Sequence, residues 1–182
     1  MFFLFFLLAL LATDLLFVLS LLLHECGHAL AAQAMGMPVE RVLAGLGPRL
    51  LKVRRLEIRL LPIVGVTVIP GLREASPTRR LIVALSGPIA SLVAAIAFGY
   101  VALYATGRIA HVAYIMGEAN VALGLFNMLP IPMLDGWEVL EAMLEVFGVA
   151  TITNTQRRKL RAVGAVALGL LCGLYVAWGW LH

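Results

Sequence analysis

Two histidines four residues apart, with a glutamate beside the first, form the run His24-Glu25-Cys26-Gly27-His28. On a helix, positions i and i+4 lie one above the other, so both imidazoles can reach one metal ion from the same face. Glu25 then stands where its carboxylate can take a proton from water without being a ligand itself. A zinc ion held there would make water nucleophilic and polarise a carbonyl, which is the chemistry of hydrolysis. The setting is at odds with that chemistry, because Ser20 is the only polar residue between positions 15 and 23. Hydrolysis needs water, and this run is placed in lipid.

Catalytic zinc takes three protein ligands and keeps a fourth position open. His111 and His182 fall at the opposite membrane face, and Asp14 and Glu118 toward the outer half. Asp135 directly follows Pro130-Ile131-Pro132 and Met133-Leu134. Two prolines that close must break a helix, and broken backbone at membrane depth survives only where protein buries it or water reaches it. An acid there is costly unless paired or coordinated, which makes Asp135 the candidate third ligand. It can also serve as an N-cap for the helix expected from Glu138. Asn127, in the same broken segment, can donate to a developing oxyanion or a substrate backbone, or bond the carbonyls that the prolines free. Glu118 and Asn120 are expected to be polar contacts between helices. Cys26 and Cys172 each lie in an apolar stretch and read as small packing residues, without a disulfide framework.

The elements that must position these groups are membrane elements. Of 182 residues, 62% are hydrophobic and 13% charged, with a mean hydropathy of +0.99; soluble domains are closer to half apolar and a quarter charged. With roughly 20 apolar residues per crossing, the length admits about four spans. The fold expected is an all-α polytopic membrane protein: three helices of a catalytic core, one C-terminal helix, and a short membrane-associated β segment in the first cytoplasmic loop. Residues 1–182 form a single integral membrane domain, with the core at about 14–136 and an amphipathic segment and last span at about 137–182. Residues 1–12 lack a basic start and a small-residue cleavage pattern, so they are expected to be retained.

The spans are expected at about 14–35, 80–104, 111–129 and 162–180, the first opened by a break or cap at Thr13-Asp14. Gly87, Ser91, Ala95 and Gly99 form a small-residue ridge on the second, which Pro88 should kink. Ala165, Gly169, Gly173 and Ala177 form another on the last, with Trp178 and Trp180 at its far interface. Between Arg41 and Arg80 stand nine Arg or Lys against two Glu. That excess puts the loop, and the site beside it, on the cytoplasmic side of the cell membrane. Arg55 to Leu60 alternates with period two and residues 63–69 are rich in β-branched side chains, so short strands or a hairpin should lie at the membrane surface. An open strand edge there could add a substrate strand. The net charge of +4 flanks apolar spans without interleaved aromatics, which excludes a nucleic-acid partner.

The two motifs together resemble the site-2 protease family of intramembrane zinc metalloproteases. The resemblance rests on His24-Glu25-Cys26-Gly27-His28 and on Asn127-Met128-Leu129-Pro130-Ile131-Pro132-Met133-Leu134-Asp135-Gly136, which matches the family's N-x-x-P-x-P-x-L-D-G pattern throughout. Ser86-Gly87-Pro88 resembles a family G-P element, and Ser91 stands where many members have Asn. The resemblance implies one zinc ion on His24, His28 and Asp135, with Glu25 as the base. It implies cleavage within or near the membrane span of a membrane-anchored regulatory protein, such as a single-span anti-sigma factor or a tethered transcription factor. The chain has no length for the PDZ or CBS domains of many relatives. A metal-ion transporter and a catalytically silent, partner-binding relative are the alternatives; the strong candidates gather toward one face, whereas an ion path needs sites at successive depths.

Overall fold

A computed structural model describes residues 2–149 and 152–181; side chains at positions 2, 3, 5, 7–10, 154, 167, 168 and 171–181 lie outside the described set. The order is α1 (Phe2–Ala34), β1 (Arg41–Val53), β2 (Leu56–Val68), α2 (Pro77–Tyr104), α3 (Gly107–Asn127), α4 (Asp135–Val146) and α5 (Asn154–Leu181). Among the described residues, Leu11–Ala34 within α1, α2 and α3 are long and apolar enough to cross a membrane, and the protein is an integral membrane protein. The expected fourth span falls in α5, and its marker residues Gly173, Ala177, Trp178 and Trp180 lie outside the described side chains.

The expected break at Thr13-Asp14 does not occur. α1 runs through both residues without interruption, because apolar helix-forming sequence lies on either side and Asp14 is exposed rather than turned back to cap. α1 ends at Ala34, and Gly36 two residues on takes a φ of +73° that suits glycine just past a helix C-terminus. α2 starts three residues earlier than expected, where Ser76 accepts a hydrogen bond from the Arg79 amide and Pro77 occupies the first turn. The helix continues through Pro88.

The second helix binds its neighbours through missing side chains. A Cβ on Gly124 of α3 would lie 3.3 Å from both Pro88 O and Ser91 Cβ, and one on Gly117 would lie 3.5 Å from Ala95 O. The small-residue ridge of α2 is therefore the seam with α3, and on this side it serves packing within the chain. Asn120, fully buried, donates to Ser20 Oγ of α1 at 3.0 Å and to Met116 O at 2.8 Å. Glu118 departs from the expected role. It is exposed and pairs with Tyr114 one turn back, since the buried face of α3 is the one carrying Ala113, Met116, Gly117, Asn120 and Gly124. Cys26 is exposed as well, not packed.

The loop after α1 is a long antiparallel hairpin, and it folds back on itself. Gly45 and Gly47 take φ of +102° and +82°, bending β1 before Pro48. Val42, Leu43 and Ala44 then meet Thr67, Val66 and Gly65 on one side and Leu56, Glu57 and Ile58 on the other. Val42 N–H closes this second contact on Arg55 O at 2.7 Å. Both edges of this part of β1 are taken. Val39, Val42 and Ile69 pack against Ala29, Ala32 of α1 and Val83 of α2, seating the hairpin base against the helices.

Candidate metal centre

His24 and His28 are both buried and one turn apart on α1, as a 3.6-residue period requires. α2 orients each ring. His28 Nδ1 lies 2.7 Å from Val83 O; a carbonyl only accepts, so Nδ1 carries the proton and Nε2 keeps its lone pair. His24 Nδ1 lies 2.9 Å from the buried Ser91 Oγ, and donation to that hydroxyl leaves its Nε2 free as well. Hydrogen bonds of this kind fix tautomer and ring angle in metal sites.

Asp135 arrives from α4. The α3 helix stops at Asn127, and the chain passes through a tight segment in which Ile131 N–H bonds Leu129 O at 2.7 Å and Met133 adopts φ of +104°. A positive φ is unusual for methionine and stores backbone strain beside the site. α4 begins at Asp135 itself, with Leu134 as the N-cap residue and no side-chain cap. The capping alternative for Asp135 is therefore not taken, and its carboxylate points to the histidines instead. Gly136 explains itself here: a Cβ would collide with Met128 O, so only glycine lets the first turn of α4 fold back against the broken segment.

The three groups converge. Asp135 Oδ2 is 2.9 Å from His24 Nε2 and 3.3 Å from His28 Nε2, and the two Nε2 atoms are 3.3 Å apart. Zinc–nitrogen and zinc–oxygen bonds near 2.0–2.1 Å at tetrahedral angles put ligand atoms about 3.3 Å apart, so this triangle fits one ion. Two imidazole nitrogens and a carboxylate oxygen this close to one another share a proton or hold a metal cation. Gly87 keeps the space beside the two nitrogens clear, since a Cβ on that residue would overlap His28 Nε2 and lie 2.8 Å from His24 Nε2. Gly27 does the same for the helices, because a Cβ there would lie 2.7 Å from Ala90 Cβ and collide with Ser86 O.

Glu25 is buried and turned toward the hairpin, its Oε2 accepting from Thr67 Oγ1 at 2.7 Å. Asn127 is half-buried and spends one amide N–H on Leu123 O of its own helix at 2.9 Å. Leu123 O lies within α3 and is not one of the carbonyls that Pro130 and Pro132 free, so this bond is neither of the two expected roles. Glu118, His111 and Asp14 are exposed and stand apart from the cluster.

α4 is held from below by ions. Arg80 of α2 pairs with Glu145 at 2.8 Å, and Arg157 of α5 pairs with Glu141 at 2.9 Å and Glu145 at 3.0 Å. Arg161 pairs with Glu138. α5 also crosses the broken segment closely, where a Cβ on Gly164 would lie 2.6 Å from Pro132 O. Neither these anchors nor the roles of Ser91, Gly87 and Thr67 were foreseeable from motif spacing, since each depends on a partner from another element.

Comparison with known proteins bears on this arrangement. The model of "Peptidase family M50" matches residues 12–108 and 103–171. Rip3, a candidate zinc metalloprotease of Mycobacterium tuberculosis, is 31% identical over 179 residues, covering 88% of this chain and 41% of that protein. A zinc metalloprotease of Methanocaldococcus jannaschii is 30% identical over 132 residues, covering 71% of this chain and 33% of that one. The solved site-2 protease from Methanocaldococcus jannaschii shares the fold, with a TM-score of 0.66 and 24% identity over 91% of this chain and 67% of that one. The chain thus spans 41% and 33% of the lengths of these two sequence relatives. A match that takes in both motif segments and most of the chain between the two ends settles its kinship: it belongs to peptidase family M50, that of the site-2 proteases.

Proposed function

We propose that the protein is an intramembrane zinc endopeptidase that cuts membrane-anchored regulatory proteins, single-span proteins among them, within or near their spans. The observation that carries this reading is the triangle of His24 Nε2, His28 Nε2 and Asp135 Oδ2, whose sides of 2.9, 3.3 and 3.3 Å suit one tetrahedral ion. Zinc would supply Lewis acidity there, drawing electron density from a scissile carbonyl and making water acidic enough to attack near neutral pH. His24, His28 and Asp135 would hold one ion. Glu25 takes the proton from the attacking water and returns it to the leaving amine. Asn127 keeps its second amide N–H for the backbone of an unwound substrate.

Substrate must be unwound because a helical peptide bond is shielded and already hydrogen-bonded. The broken segment at 128–134 and the hairpin lie on either side of the site and are suited to an extended strand. With 42–44 of β1 and 56–58 of β2 each paired on both sides, an added strand would go to β2 at 65–67, which pairs on one side only. The basic hairpin supports a site opening to the cytoplasmic side of the cell membrane.

The test is cleavage of a helical single-span substrate by the purified protein in lipid nanodiscs, with zinc content measured on the same samples. One zinc per chain, loss of zinc in Asp135→Ala, and loss of turnover with zinc retained in Glu25→Gln are expected. Full turnover by Glu25→Gln, or undiminished zinc in Asp135→Ala, would overturn the assignment.

A further inference from the structure

The base is gripped by the hairpin. Gly65 and Thr67 are two apart on β2 and so face the same way, and both face Glu25. Thr67 Oγ1 lies 2.7 Å from Glu25 Oε2 and 3.0 Å from the Glu25 backbone oxygen. Its one proton goes to the nearer acceptor, Oε2. The other carboxylate oxygen, Oε1, lies against Gly65, where any Cβ would overlap it. Register holds Thr67 in place, since it pairs with the buried Val42 of β1. Glu25 is 5% exposed, so the rotamer it takes is the one this strand allows.

We propose that Thr67 is a positioning residue for Glu25, and that Gly65 is the gap which leaves the carboxylate its seat. A hydrogen bond on Oε2 stops the side chain from rotating and leaves Oε1 as the oxygen that receives the proton. β2 is therefore a working part of the proton-transfer apparatus as well as a neighbour of the substrate. This rests on the reading of Glu25 as base.

The experiment compares wild type, Thr67→Val, Thr67→Ser, Gly65→Ala and Glu25→Gln in nanodiscs, reading kcat, KM and bound zinc. Thr67→Val keeps the shape and removes the hydroxyl; its kcat should fall about tenfold or more, with KM and zinc within about twofold. Thr67→Ser should return kcat to within about threefold of wild type. Gly65→Ala should lower kcat with zinc retained. Wild-type kcat in Thr67→Val, an equal loss in Thr67→Ser, or a rise in KM that accounts for the whole effect would each refute the positioning role. An inactive Glu25→Gln beside a normal Thr67→Val would refute this inference alone. An active Glu25→Gln would remove the base reading beneath it.

Discussion

Gly87→Ala adds one carbon at the point where the two histidines meet. That carbon would sit 2.8 Å from His24 Nε2 and in overlap with His28 Nε2. Ordinary non-bonded contact starts near 3.4 Å, so His24 must retreat by about 0.6 Å and His28 by more. Metal–ligand distances tolerate about 0.2 Å. At least one histidine must therefore leave the site. Loss of an outer partner alone costs about 10–100-fold in metal affinity, so loss of a ligand should cost at least about 100-fold, or ~2.7 kcal/mol. The fold should survive, since alanine is a better helix former than glycine and position 87 lies within α2. The assay is zinc binding to the purified variant in buffers of graded free zinc, with circular dichroism and thermal unfolding on the same samples. A folded Gly87→Ala with wild-type zinc affinity would show that the ion does not sit between these nitrogens.

Ser91→Ala removes the acceptor from His24 Nδ1 and should weaken zinc by about 10–100-fold, read by competition with a chelator. Arg80→Gln leaves Glu145 and the buried Glu141 with Arg157 as their remaining described partner; stability should fall by about 3 kcal/mol, measured as a lowered midpoint of thermal unfolding. The Glu57 carboxyl of β2 is held below its ordinary value of 4.5: burial pushes it up, but Lys52, Arg41 and Arg49 outweigh that. A depressed carboxylate stabilises the fold above its unfolded pKa, and that contribution is lost as pH falls through the lower folded value. Hairpin amides at 41–68, corrected for intrinsic exchange, should therefore keep their protection at pH 6 and lose it on acidification below 4.5, whereas Glu57→Gln should flatten that dependence.

The parts of the site set by local period were legible in the chain. His24, Glu25 and His28 needed only a helix, and the prolines before Asp135 announced a turn that brings an acid to the membrane interior. Gly87 was visible as a small residue, but its purpose was not, because the reason lies on α1 some sixty residues earlier. Ser91 and Thr67 are equally silent in sequence: a hydroxyl gains a role only from the atom opposite it. The alternation at 55–60 disclosed a strand, while the fold-back that closes both edges of β1 at 42–44 depends on the glycine bend at 45–47. Thr13-Asp14 misled because a capping residue ends a helix only where the flanking sequence favours an end, and here leucines and phenylalanines run on through it. Glu118 misled because acid in an apolar span suggests an inward face, whereas its pairing with Tyr114 lets it stay outward.

Asp135 lies 111 residues after His24 in the chain, beyond the hairpin and two long helices. At ribosomal speeds of about 5–20 residues per second, that gap lasts on the order of 5–20 s during synthesis. Through that interval the nascent protein holds His24, Glu25 and His28 without Asp135 beside them. On the proposed zinc reading, competence to capture the ion is a late event in the life of each molecule.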